Sequence, residues 1–380
     1  MGPRSKLPAL LLGTALLASV LGVGTVATAA GPAATPAAGH SGHSGHSGHS
    51  GHSGHSGHSG HSGHSGHTTA VSTRASADDP DGDGYIPAVP QVTGVTPSTV
   101  TPPPRYHKEF QANCSVTHTA PDDPIIYPGQ PGRSHDHTFM GNTTTNAGST
   151  TASLSGGNTT CNAPADASAY WMPSLYNGDK KILPVGPQVI YYKSGITDYT
   201  SVRPFPRGLR YVVGDPLQSA QQFRAHKGFV EGWECGDSFF NVDFPATCPS
   251  RPDVQLNIRF QAPSCWDGKY LDTPDHRSHM AYPVVKPGTN DNMCPASHPV
   301  ALPMIEFKMA FPVNGDMSQV RLASGRGYSF HYDFFNAWEE RTLKALVDHC
   351  IVGGLQCDTR GYDQNHPERG AVLNADHRLP

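Results

Sequence analysis

Eight cysteines limit what this chain can become more than any other feature: Cys114, Cys161, Cys235, Cys248, Cys265, Cys294, Cys350 and Cys357. Their number is even, and no Cys-x-x-Cys occurs; the closest pair, Cys350 and Cys357, is seven apart, so the spacings fit no zinc pattern. In an oxidising compartment such a set forms four disulfides. Too many pairings are possible for connectivity to be deduced. Sequential neighbours are the expected partners, with Cys350–Cys357 the simplest because it closes only a short loop. A catalytic thiol is correspondingly disfavoured.

The N-terminus supplies a route to that compartment. Arg4 and Lys6 precede an apolar run, Leu7 to Val26, which ends in Ala27-Thr28-Ala29, the small-x-small pattern accepted by a signal peptidase. Residues 1–29 are therefore expected to be a removed signal peptide and the protein to be secreted. A retained anchor is the alternative, disfavoured by Pro8, Gly13, Gly22 and Gly24. No second apolar stretch of about 18 residues is present further along, so no integral membrane segment is expected after cleavage.

Before about residue 98 the chain is mostly Ala, Gly, Ser, His, Pro and Thr, a composition that cannot bury enough apolar surface to offset the entropy of ordering. Residues 30–101 are accordingly expected to be a disordered tether. Within it, His40 to His67 repeats His-Ser-Gly and places ten imidazoles at a spacing of three. Such an array can wrap a Zn, Cu or Ni ion, or serve only as a spacer. Near its end, Asp79, Asp81 and Asp83 occupy positions 1, 3 and 5 of an EF-hand-like loop, but Pro90 stands where the bidentate Glu belongs, so an acidic turn is favoured over a calcium site.

All four Trp lie beyond the tether, and residues 102–362 are expected to form one disulfide-bonded domain with a polar tail at 363–380. The formal charge is −4, about −6 once Arg4 and Lys6 are removed, and Lys and Arg are scattered singly. Nucleic acid is therefore not an expected partner. Strand-like runs recur at Gln188 to Tyr192, Leu209 to Val213, Val254 to Phe260, Met304 to Phe311 and Tyr328 to Phe334. Val254 to Phe260 alternates strictly, the mark of a half-buried strand. One helix is expected after an Asn336 cap, with Glu339 at the third helical position, an apolar stripe of Leu343, Leu346, Val347 and Cys350, and a stop at Gly353-Gly354. A shorter helix is expected from Pro216 through Gln222. The fold class is mainly β, sandwich-like or irregular, with a few peripheral helices.

Histidines inside the domain are the best candidates for chemistry. His135-Asp136-His137 puts both imidazoles on one face of a strand, because side chains two apart point the same way. His276 and His279 are three apart, His298 precedes Pro299, and His331-Tyr332-Asp333 lies in an aromatic strand. Three or four of these meeting in space would hold Zn or Cu with carboxylates behind them, or act as acid and base. A single His more often satisfies backbone groups in a loop. Glu231, Glu234, Asp237, Asp267, Asp272, Asp275 and Asp333, several beside Trp233 or Trp266, form a rival set for sugar hydrolysis.

Several longer motifs carry a resemblance. Ser134-His135-Asp136-His137-Thr138, Tyr170 to Tyr176, Phe205 to Arg210, Ser264 to Lys269, Ser278 to Pro283, Cys294 to Pro299 and Gly327 to Phe334 resemble a secreted family filed as domain of unknown function 1996. The resemblance covers almost all of residues 105–358 and departs from the usual pattern at Asp136 and Tyr332. It implies an extracellular protein of fungal or bacterial type, sometimes joined to carbohydrate-binding modules, and brings no established reaction. Three functional classes are open. In the first, a His/Asp-lined pocket binds or hydrolyses an extracellular polysaccharide, with Asp275, Asp333, Asp267, His279 and His331 catalytic and Trp171, Trp266, Arg210 and Lys269 on the substrate. In the second, His135, His137, His276 and His298 hold a divalent metal, Zn or Cu, that the repeat gathers. The third is a non-catalytic cell-wall or surface binding module.

Overall fold

A computed structural model describes residues 76–380. The signal segment and the His-Ser-Gly repeat lie outside the described residues. Eleven strands make up the two large sheets: β1 (Glu109–Cys114), β2 (Val116–Ala120), β3 (His137–Gly141), β4 (Ala169–Pro173), β5 (Gln188–Ser194), β6 (Arg210–Gly214), β7 (Phe229–Cys235), β8 (Ser238–Asn241), β9 (Leu256–Gln261), β10 (Pro303–Phe311) and β11 (His331–Phe335). Both sheets are antiparallel, one of six strands in the order β8-β7-β9-β10-β5-β1 and one of five in the order β2-β3-β4-β11-β6. The expected mainly β class holds, and it takes the form of a sandwich.

Alternation explains which face of each strand goes inward. Leu256, Ile258 and Phe260 of β9 are buried, as are Ile305, Phe307, Met309 and Phe311 of β10, while the residues between them point away from the core. The five-stranded sheet contributes Met140, Tyr170, Met172, Tyr211, Val213, Tyr332 and Phe334 to the same core. Phe307 and Tyr332 stack across the two sheets with ring centroids 4.0 Å apart. Burying one such side chain is worth about 1.5–3 kcal/mol, so this interdigitated layer is the main source of stability. The outer face of the five-stranded sheet is not free either. Phe139, Trp171, Val212 and Phe335 on that face pack with Ile125, Leu154 and Ala337 from the loops above it.

The disulfides join sequential neighbours: Cys114–Cys161, Cys235–Cys248, Cys265–Cys294 and Cys350–Cys357. Each closes a loop and can stabilise by about 2–4 kcal/mol. The C-terminal helix runs Glu340–Leu346 and continues as a wider turn over Val347–Ile351. Its cap is Glu339, not Asn336: the Glu339 carboxylate accepts from the Arg341 and Thr342 amides, while Asn336 Oδ1 accepts from the Trp338 amide in a turn before the helix and the Glu339 amide donates to the Ala165 carbonyl. The shorter helix is Ala220–Ala225, later than expected, since Ser219 and Gln222 form the capping box there.

Packing reaches beyond the expected 102–362 at both ends. Ile86–Pro87 pairs with Tyr270–Asp272, the Ala88 amide donates to Lys269, and Asp78 pairs with Arg210 at 2.6 Å. At the other end Leu373 is buried. The acidic loop closes on itself, with the Asp79 carboxylate accepting from the Gly82 and Gly84 amides.

Candidate functional site

His137 opens β3 and His331 opens β11, and β4 lies between them in the sheet. His137 is in register with Pro173, and Asp333 is in register with Trp171, so both imidazoles stand on the outer face at one end of the sheet. Strand spacing puts the two backbones about 10 Å apart, and the short Pro173 side chain leaves the gap open. The rings reach across it, with centroids 5.8 Å apart. His135, two residues before His137 and on the same side, completes the group at 4.3 Å from His137 and 5.0 Å from His331.

The hydrogen bonds decide which nitrogen of each ring is free. His137 Nδ1 lies 2.9 Å from the Asp122 carbonyl, and His331 Nδ1 lies 3.0 Å from the Ser329 carbonyl. A carbonyl only accepts, so both Nδ1 atoms carry the proton and both Nε2 atoms present a lone pair. The ligand atoms of His135, His137 and His331 lie within 4.8 Å of one another, and so do those of His137, Asp123 and Asp333. His135 Nε2, His137 Nε2 and both Asp333 carboxylate oxygens are buried without a hydrogen-bond partner. Leaving a buried carboxylate unpaired is costly unless it is protonated or coordinated.

Electrostatics at the cluster follow from burial. His331 is pushed down to about 3, first by desolvation and then by the neighbouring His135, and His137 falls well below its ordinary value for the same reasons. Burial lowers His135 as well. All three rings are thus held neutral, the form that ligates metal. Desolvation raises the Asp123 carboxyl to about 6, against the lowering effect of the Ile126 and Ile125 amides and of His276. Asp333 is raised well above the carboxylate range by burial and by the charge of Asp123. Asp136, which points away from the cluster, is tied to Lys181 at 2.8 Å and to the Tyr176 hydroxyl at 3.2 Å. That anchor fixes the short segment carrying His135 and His137.

Other candidates fall elsewhere. His276 lies beside the cluster, its Nδ1 3.0 Å from Asp272. His279 is buried with both nitrogens engaged, Nε2 donating to the Arg210 carbonyl and Nδ1 facing the Thr273 hydroxyl. His298 is engaged likewise by the Ser278 carbonyl and Ser297. Both pin loops and offer no lone pair to an ion. Asp267 accepts from the Lys269 and Tyr270 amides, shaping a turn. Asp275 does the same for Ser278, Thr273 and Arg277, whose hydrogen bonds outweigh burial and bring its carboxyl to about 2. Neither is placed for acid catalysis at the cluster. Trp171 and Trp266 are 0% and 1% exposed, so neither can stack on a sugar ring, contrary to expectation. Arg210 is buried against the Phe335 ring and paired with Asp78, and only Lys269 of the expected substrate contacts is exposed. The rival carboxylates are dispersed: Glu231 and Glu234 belong to the other sheet, Asp237 is exposed beyond β7, and Asp272 holds His276. Asp123 was not among the sequence candidates, because an Asp-Asp-Pro after a strand looks like any turn.

Fold and cluster together define an antiparallel β-sandwich carrying a buried histidine–carboxylate site on one outer face. The chain belongs to the family described as domain of unknown function DUF1996, whose model matches residues 123–338, more than half of the chain. No curated protein and no solved structure matches it.

Proposed function

We propose that this is an extracellular metal-binding protein whose ion, zinc or copper(II), is held by the Nε2 atoms of His135, His137 and His331, with Asp333 as the carboxylate ligand. The observation that supports it is two overlapping groups of close ligand atoms, His135–His137–His331 and Asp123–His137–Asp333, which share His137 and include two imidazole nitrogens and a carboxylate that are buried without a partner. Imidazole nitrogen with carboxylate oxygen suits both ions, and three histidines leave room for a carboxylate or water in the remaining position. The Asp122 and Ser329 carbonyls behind His137 and His331 supply the outer hydrogen bonds that orient such ligands. A divalent charge here also removes the repulsion between Asp123 and Asp333. His135, the least buried of the three rings, marks the side from which an ion enters. The export signal read in residues 1–29 and the four disulfides favour an extracellular setting.

The test is metal analysis of a chain lacking residues 40–67, so that the repeat cannot contribute. One equivalent of ion per chain is expected, with affinity reduced more than about 100-fold by His137→Ala or His331→Ala, beyond what loss of an outer hydrogen bond costs. The proposal fails if no stoichiometric ion is retained after zinc or copper loading.

A further inference from the structure

The six-stranded sheet turns its outer face away from the metal cluster, and its side chains are arranged differently. Lys193 reaches Glu306 at 3.0 Å, Arg259 reaches Glu306 at 2.9 Å and Glu231 at 2.8 Å, and Gln261 donates to Glu306 at 2.6 Å. Lys308 and Glu109 lie on the same face, Glu109 3.5 Å from Lys193, so cations and carboxylates alternate across it and no stripe of one sign is presented to a charged polymer. What is left for a ligand is planar hydrogen-bonding groups and aromatic surface. Tyr191 sits among them with the Lys193 ammonium 4.4 Å from its ring centre. Glu234, only 5% exposed, lies beneath this surface next to Glu231.

At the edge of the same sheet, β8 carries two adjacent exposed aromatics, Phe239 at 49% and Phe240 at 55% exposure. The register shift between the Trp233–Asn241 and Cys235–Ser238 pairs sets both opposite Glu234. Phe240 has φ of 62°, a left-handed conformation that a bulky residue adopts at a cost of about 1–3 kcal/mol. Two exposed phenylalanines, one of them strained, do nothing for folding. Such a pair is explained by what lands on it.

We propose that the outer face of the six-stranded sheet, from Tyr191 to the Phe239–Phe240 edge, binds a neutral polysaccharide chain. Sugar rings present apolar faces that stack on aromatic surface, and hydroxyls that pair with carboxylate, amide and guanidinium groups. The distance from β5 to β8 across the sheet is about 19 Å, long enough for an oligosaccharide rather than a single ring. The metal cluster takes no part, so the two sites stand or fall separately.

Full-length protein is incubated at pH 8, where the repeat imidazoles are neutral, with insoluble cellulose, β-1,3-glucan, chitin and cross-linked polygalacturonate, and bound protein is measured. Retention by at least one neutral glycan and not by the acidic one is expected. The double variant Phe239→Ser/Phe240→Gly should bind at least about 10-fold more weakly with a thermal midpoint no lower than the parent's and unchanged metal content, since both side chains are exposed and glycine suits the backbone at 240. Tyr191→Ala should weaken binding in the same direction. Retention by none of the neutral glycans, retention by polygalacturonate alone, or undiminished binding by the double variant overturns the proposal.

Discussion

Asp123→Asn tests the electrostatics of the metal cluster most directly. In the metal-free protein the Asp123 carboxyl titrates at about 6 instead of its ordinary 3.8. A carboxyl raised in the folded state contributes stability that is present below its unfolded value and lost as pH rises through the folded one. At pH 7 the buried charge therefore costs about 3 kcal/mol. Asparagine keeps the oxygen that accepts from the Ile125 and Ile126 amides at 2.9 Å, removes the charge and replaces the second oxygen with an amide nitrogen. Chelator-treated Asp123→Asn should consequently be more stable than the parent at pH 7, by up to about 3 kcal/mol. His331 acts in the opposite sense. With a folded value of about 3 against 6.5, its contribution is present above pH 6.5 and is lost as pH falls toward 3. In the parent the two trends oppose each other between about pH 4 and 6, whereas the variant keeps only the histidine trend and should lose stability more steeply there. Urea unfolding monitored by tryptophan fluorescence at pH 7, 6, 5 and 4 measures both quantities. A variant less stable than the parent at pH 7 would refute the assignment of a buried, charge-destabilised carboxyl.

Zinc at about 100 times its dissociation constant should stabilise the protein by about 2.7 kcal/mol, a rise in midpoint of about 4 °C that His137→Ala abolishes; calorimetry with and without the ion decides this. Trp171→Ala should cost about 3–5 kcal/mol and lower metal occupancy as well, because its ring packs against Phe139 beneath the cluster at a 5.6 Å centroid separation. Chemical denaturation and metal content report the two effects. Cys265→Ser/Cys294→Ser should cost about 2–4 kcal/mol while leaving His135, His137, His331 and Asp333 in place, as chemical denaturation and metal content of the double variant would report.

Local patterns made much of the sandwich legible. Strict alternation in Val254 to Phe260 marked β9, and an apolar stripe marked the C-terminal helix, because side-chain direction repeats every two or 3.6 residues whatever the chain meets later. Caps were less legible. Asn336 and Glu339 are both competent, and the later start of the helix goes with the Glu339 amide bonding the Ala165 carbonyl from elsewhere in the chain. The two tryptophans illustrate the same limit, since an aromatic in a strand serves core or ligand equally well until its neighbours are known.

By itself, the amino-acid sequence determined a mainly β, cysteine-rich domain and the nearness of His135 to His137, although His135 precedes the strand that His137 opens and the loop sets its direction. It also set out the family motifs that the DUF1996 match supports. Tertiary structure alone decided which distant groups join that pair. Strand order β3-β4-β11 brings His331 and Asp333 alongside, a loop lays Asp123 over them, and backbone carbonyls claim His279 and His298 for other work. Strand pairing and loop packing are set by the burial of the whole chain, and no local period encodes them.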